Sequence, residues 1–137
     1  MNIVIDTNVF VFALIKESIC REILTNLKIN FLFPEFEFEE IKNHKEEIIR
    51  KADLIDRDFD ILFLRLIRYV KIIPAYFSKI YKGKATQIIW KIDPDDVQFI
   101  ATALAFNCPI WSDNKHFKKQ KVVKIFTTKE IIGIFKK

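Results

Sequence analysis

I-D-P-D-D-V-Q-F-I-A-T-A-L-A-F, residues 92–106, sets three carboxylates around one proline and then runs into an apolar helix. The opening is a strong helix start, with Asp93 as N-cap, Pro94 in the first helical position and acidic side chains complementing the helix dipole. Those rules account for Asp93 and Asp95 without any chemistry. Asp96 is different. At about 100° per residue, Val97, Ile100 and Leu104 form one stripe, and Asp96, on the side of Ile100 and Ala103, falls close to it while Asp95 falls well off it. A carboxylate turned toward a core loses hydration and needs a partner, and no His or basic residue stands nearby in sequence. A bound cation would supply the compensation.

Working outward, Pro109 to Ser112 predicts a strand directly after this helix, and the same alternation runs through the chain. Asn2 to Ile5 and Asn30 to Phe33 predict buried strands, and Val70 to Ile73 a short one before Pro74. Between them, Ser18 can cap a helix through Asn26, and a helix runs from Glu35 to Ala52. Asp58 to Arg68 continues helical, and Tyr76 to Trp90 reads as helix interrupted at Gly83. After the turn beyond Ser112 comes a β-rich run at Val122 to Phe126, then a last helix opened by Thr127 or Thr128. Such alternation predicts an α/β layer fold with a mostly parallel sheet, in which ligands gather outside the carboxyl ends of the strands.

Half of the 137 residues are hydrophobic, enough for a single domain, 1–137, with a real core. Near absence of glycine argues against a G-x-x-x-x-G-K phosphate loop. The net charge of +5, with lysines clustered late at Lys115, Lys118, Lys119, Lys121, Lys124, Lys136 and Lys137, would attract a polyanion, although on charge alone a solvated basic face is the slightly better explanation. Cys20 and Cys108 lack the spacing of a disulfide or zinc framework and are expected as buried thiols in a reducing, cytoplasmic setting. The N-terminal run MNIVIDTNVFVFALIK lacks a basic leader and is interrupted by Asp6, and no segment approaches the roughly 20 apolar residues of a membrane span.

Further carboxylates fall on the same sheet edge. Asp6 directly follows the first strand and Asp113-Asn114 directly follow Ile110-Trp111-Ser112, although in D-T-N-V-F a helix cap suffices to explain Asp6. In F-P-E-F-E-F-E-E-I-K-N-H-K-E-E-I-I-R-K-A, residues 33–52, Ile41, Ile48 and Ala52 define the buried stripe; Glu40 borders it and Glu39 faces water. Glu40 is therefore the inward candidate, with an ordinary surface pairing to His44 as the plainer explanation. His44 and His116 lack a complete ligand set and are expected at the surface, with Trp111 and Phe117 as core anchors. Carboxylates converging from separate elements, without a His or Cys cluster, suit an all-oxygen site for Mg²⁺ or Mn²⁺.

The ordered set I-D-T-N-V-F at 5–10, P-E-F-E-F-E-E-I at 34–41, D-P-D-D-V-Q-F-I-A-T-A-L at 93–104 and P-I-W-S-D-N-K-H-F at 109–117 resembles the PIN-domain family of metal-dependent ribonucleases, including VapC-like toxins, and most closely its archaeal-type members. The resemblance implies a Rossmann-like three-layer sandwich, a mostly parallel central sheet with helices on both faces, and an acidic pocket at its carboxyl edge. It carries the family's first, second and third acids onto Asp6, Glu40 and Asp96, with Asn8 and Asp93 in support. The fourth acid departs from the pattern: where the family has Ser or Thr, any residue, Asp, Lys, this chain holds Asp113 in the free place and Asn114 in the Asp place. Either Asp113 substitutes through a shift of the loop, or metal binding is weakened, or activity is lost. The implied function is an RNA-cleaving, Mg²⁺- or Mn²⁺-dependent endoribonuclease, as the toxin of a toxin–antitoxin pair or an RNA-processing enzyme. RNA, an antitoxin protein and a second copy of the chain are the implied partners, with Lys115, Lys118 and Lys119 as candidates to touch the phosphate backbone. The alternative is a weakened or inactive module that binds RNA or protein. A receiver-type phosphoacceptor is disfavoured, since Asp6 has no acidic neighbour and Ile73-Pro74 offers no acceptor.

Overall fold

Ile3, Val4 and Ile5 are fully buried in the first strand, β1 (Asn2–Ile5), as a continuous apolar run requires when both faces of a sheet are covered. The computed structural model describes residues 1–15, 19–26, 28–52 and 56–135. In it β1 is the middle of a five-stranded sheet with β2 (Asn30–Pro34), β3 (Val70–Ile73), β4 (Ile110–Trp111) and β5 (Ile125–Phe126), ordered β3-β2-β1-β4-β5. Every pairing is parallel, and the register sets Ile3 beside Phe31 and Ile5 beside Trp111. The chain builds outward from β1 through β2 to β3, then returns to the other side of β1 for β4. The order thus reverses between β1 and β4, the place where an open α/β sheet leaves its ligand crevice. Asp6 and Ser112 emerge from those two strands, joined where the Asp6 N–H donates to the Trp111 carbonyl at 3.1 Å.

Helices cover both faces, giving the three-layer α/β sandwich expected from the sequence. Helix α1 (Thr7–Ile15) packs against α2 (Ile19–Asn26), α3 (Glu35–Asn43), α4 (Lys45–Ala52) and α5 (Asp56–Leu66). After β3 come α6 (Ala75–Lys79) and α7 (Lys82–Ile89), both packed on α8 (Val97–Phe106), which itself lies across β1, β2 and β4. Helix α9 (Thr128–Phe135) sits against β5. Aromatic rings knit the layers: Phe10 of α1 lies 5.9 Å from both Phe33 and Phe63, and Phe33 and Phe117 each lie 6.1 Å from Phe99 of α8. Trp111 and Phe117 are fully buried core anchors, as the sequence suggested, and the Trp111 indole N–H donates to Thr128 Oγ1 at 2.9 Å.

Both ends of α8 follow local chemistry. The Asp93 side chain accepts the Asp95 N–H at 3.0 Å, and one 3₁₀ turn, Pro94–Asp96, leads into the helix. At the other end Asn107 adopts the left-handed conformation (φ 48°), with Cys108 N–H to the Ala103 carbonyl and Asn107 N–H to that of Leu104. This is a Schellman closure, and it delivers the chain straight into β4.

Some boundaries differ from expectation. The 35–52 helix is two helices, broken at His44, where Asn43 and His44 have poor helix preference. A 3₁₀ turn, Ile67–Tyr69, ends the helix expected to reach Arg68. The 76–90 helix breaks at Ile80 and Tyr81, with Gly83 inside the first turn of α7. Only Ile125–Phe126 of the 122–126 run is strand, because buried Gln120 takes the Val122 and Val123 N–H groups on its Oε1, at 3.0 and 2.8 Å, in place of a sheet neighbour. Cys20 is buried and Cys108 half-buried, both as free thiols. The expected cap at Ser18, the Ala52 side chain, Lys136 and Lys137 lie outside what the structure describes. Among the described residues no helix is long and apolar enough to cross a membrane.

Candidate functional site

Asp6 ends β1 and opens α1: its carbonyl accepts the N–H groups of Val9 and Phe10 at 3.1 and 3.3 Å, and its carboxylate takes hydrogen bonds from the Thr7 and Asn8 backbone. The capping role is therefore real, yet it leaves the carboxylate 4% exposed beside β4. There Ser112 donates its hydroxyl to Asp6 Oδ2 at 2.7 Å and accepts the Asn114 N–H at 3.0 Å. Burial raises the Asp6 pKa, the hydrogen bonds opposing it.

Asp96 meets Asp6 from the opposite layer. It is 6% exposed, its Oδ2 is buried, and among the described residues that oxygen has no hydrogen-bond partner. Burial, with the charges of Asp93, Asp6, Asp95 and Glu37, pushes its carboxyl up to about 7. Glu37, in the first turn of α3, behaves alike: burial, then Glu40, Asp95 and Asp6, raise it to about 7. These mutual influences place Asp6, Glu37 and Asp96 in one electrostatic cluster. They face a cleft of about 900 Å³ whose walls also carry Thr7, Asn8, Glu40, Asp95 and Asn114.

The remaining expected residues separate. Glu40 stands on the cleft wall but is exposed, 3.7 Å from His44 Nε2, the surface pairing that sequence also allowed. Asn8 is exposed on the same wall. Asp113 turns away: its carboxylate accepts the Thr128 N–H at 2.8 Å and the Thr128 hydroxyl at 2.6 Å. Asn114 is the residue that lines the cleft, with its Oδ1 accepting the His116 N–H at 3.0 Å. Asp93 caps the 3₁₀ turn and lies outside the cleft. Lys115, Lys118 and Lys119 are exposed and likewise outside it, with Lys118 paired to Glu130; the lysines on the walls are Lys51 and Lys82.

Sequence reasoning passed over Glu37, although a signal was present. Glu37 lies four residues before Ile41, on the buried stripe itself, whereas Glu40 lies beside it. Thr7 was also missed; its Oγ1 is buried and, among the described residues, without a hydrogen-bond partner. Nor is His116 remote from the acids: its Nδ1 is 3.3 Å from Asp93 Oδ2.

Comparison with known proteins bears on the family and the fold. A family model described as PIN domain matches residues 4–132. No curated protein matches significantly. Among solved structures, a chain in the crystal structure of VapBC2 from Rickettsia felis bound to a DNA fragment from their promoter superposes with a TM-score of 0.68 at 14% identity, covering 93% of this chain and 98% of that one.

Proposed function

This chain belongs to the PIN domain family, and we propose on that footing that it is a divalent-metal-dependent endoribonuclease hydrolysing phosphodiester bonds in RNA. The observation that carries the reading is the meeting of Asp6, Glu37 and Asp96 in one cleft, with a buried oxygen of Asp96 left without a hydrogen-bond partner among the described residues. A cluster of crowded carboxylates with raised pKa values and only oxygen donors fits Mg²⁺ or Mn²⁺. When bound, such an ion would polarise the scissile phosphate and make water a better nucleophile.

The side chains divide the remaining work. Asp6 and Asp96 would hold the ion, with Glu37 and, nearer the rim, Glu40 assisting directly or through water. Ser112 fixes the Asp6 carboxylate through its hydroxyl. Glu37, a carboxylate on the cleft wall beside the other acids, would take a proton from the attacking water at its carboxylate. Asn114 would orient that water with its amide. Lys51 and Lys82 would meet the phosphate backbone, which gives affinity without sequence choice, and Lys115 and Lys119 would extend that contact.

Cleavage of a panel of single-stranded RNAs with Mg²⁺ or Mn²⁺ tests the reading. Wild type should cleave, and Asp96→Asn should lose roughly a hundredfold or more. Equal cleavage by both proteins would indicate a contaminating nuclease and remove the support. One observation favours a second reading, a binding module with weakened catalysis: Asn114 brings no charge to the cleft and spends its oxygen on the His116 N–H. RNA retained without cleavage in the same panel would select it. The likeness to the VapBC2 complex supports an antitoxin protein as partner, and hence a toxin role, as part of the proposal. Light scattering of the purified chain, alone and with a co-expressed antitoxin, would test both that complex and the proposed homodimer.

A further inference from the structure

Adjoining the cleft at Asp96 lies a cluster of which the all-oxygen site uses only that one residue. One ligand atom each from Asp93, Asp96 and His116 lies within 4.8 Å of the others. Bond lengths of about 2.0–2.2 Å to a tetrahedral ion put its ligand atoms roughly 3.5 Å apart, so closing the cluster on an ion requires only small side-chain rotations. The residues come from two separately anchored pieces of chain, the turn that carries both Asp93 and Asp96 and the loop after β4 that carries His116. Asp93 is held by the Asp95 N–H on Oδ1, leaving Oδ2 toward the imidazole at 3.3 Å. His116 is fixed by its N–H on Asn114 Oδ1 and by the fully buried ring of Phe117 that follows it. Asp96 is 6% exposed and brings the second, independent observation, a buried carboxylate oxygen with no hydrogen-bond partner among the described residues.

We propose that Asp93, Asp96 and His116 form a binding site for a borderline divalent transition ion of the Zn²⁺ or Co²⁺ class, adjoining the acidic cleft and sharing Asp96 with it. Imidazole discriminates in favour of such ions over Mg²⁺, and three protein ligands leave a coordination position open. His116 thus returns to this loop a metal-binding side chain two residues beyond the uncharged Asn114. The site stands whether or not RNA is cleaved, because Asp93 and His116 lie outside the all-oxygen cluster and only Asp96 is common to both.

Titration of the metal-stripped full chain with Co²⁺, followed by visible d–d absorption, reads the site directly. Wild type should develop the bands of a nitrogen- and oxygen-ligated ion, and His116→Ala and Asp93→Asn should each weaken Co²⁺ binding at least tenfold while melting normally by circular dichroism. Asp6→Asn should keep the Co²⁺ spectrum while losing the Mg²⁺ response of the cleft. Unchanged Co²⁺ affinity in His116→Ala would overturn the proposal, leaving the 3.3 Å contact as a simple His–Asp pair. Loss of the Co²⁺ bands in Asp6→Asn with retention in His116→Ala would overturn it too, assigning all metal binding to the cleft. Absence of RNA cleavage alongside an intact Co²⁺ response would count against the nuclease reading alone.

Discussion

Asp96 sits where a carboxylate fares worst without a counter-charge, buried, facing Asp6 and Glu37, and with one oxygen unbonded among the described residues. Its inward direction was readable from helix geometry alone, since one turn of arithmetic put it on the side of Ile100. The same arithmetic applied to α3 selects Glu37 over Glu40, but only if the stripe is extended one turn toward the strand. Glu37→Gln is therefore expected to weaken Mg²⁺ binding and cleavage by roughly tenfold or more, and Glu40→Gln by only a few-fold, in paired calorimetric and RNA assays. Equal effects would return the second acid to Glu40. Asn114→Asp adds a carboxylate to the cleft wall and should tighten Mg²⁺ binding; calorimetry with no change would mean that position 114 does not reach the ion. His116 was not legible, because its approach to Asp93 is made in space by the turn after β4 and not by spacing along the chain.

At the scale of elements, the pieces with strong local signals were found and the weakly marked joints were not. D-P-D-D starts α8 as expected, and Thr127 and Glu130 close a capping box at α9, each backbone N–H donating to the other's side chain at 3.1 and 3.2 Å. The break at His44 carries no proline or glycine to announce it. The short β5 depends on a single side chain: the Gln120 amide donates to the Phe117 and Val123 carbonyls at 2.8 Å each and accepts two N–H groups, replacing a strand ladder with a loop closed from within. Propensity for strand at Val122-Val123 is thereby overridden. Gln120→Ala leaves several buried backbone groups unpaired and should cost about 2–3 kcal/mol in urea denaturation, with Mg²⁺ binding at the cleft unchanged. Stability within about 0.5 kcal/mol of wild type would show that water replaces those bonds. Asp113 belongs to the same architectural set, since it binds Thr128 and so leaves the cleft to Asn114.

For the molecule as a whole, topology and charge work together. A parallel sheet that reverses its order between β1 and β4 brings Asp6 and Ser112 side by side, and α3 and α8 bring Glu37 and Asp96 over them. The chain is basic overall at +5, yet its cleft gathers like-charged carboxylates, so folding without a cation stores repulsion there. The sign follows from linkage. Asp96 and Glu37 have folded pKa values of about 7, above their ordinary 3.8 and 4.5. The native state therefore binds more protons than the unfolded chain through that interval, and stability contributed below it is lost as pH rises toward 7. A loss of about 1 kcal/mol lowers Tm by roughly 3–5 °C in a domain of this size. The most direct measurement is the Tm of metal-stripped wild type and Asp96→Asn at about pH 5 and about pH 7.5, with and without Mg²⁺. Wild type should melt lower at the higher pH and recover there on adding Mg²⁺, and Asp96→Asn should lose most of the Mg²⁺ response and only part of the pH response, Glu37 supplying the rest. A wild-type Tm indifferent to Mg²⁺ at the higher pH, or a Mg²⁺ response undiminished in Asp96→Asn, would contradict the convergence of these carboxylates on a divalent ion.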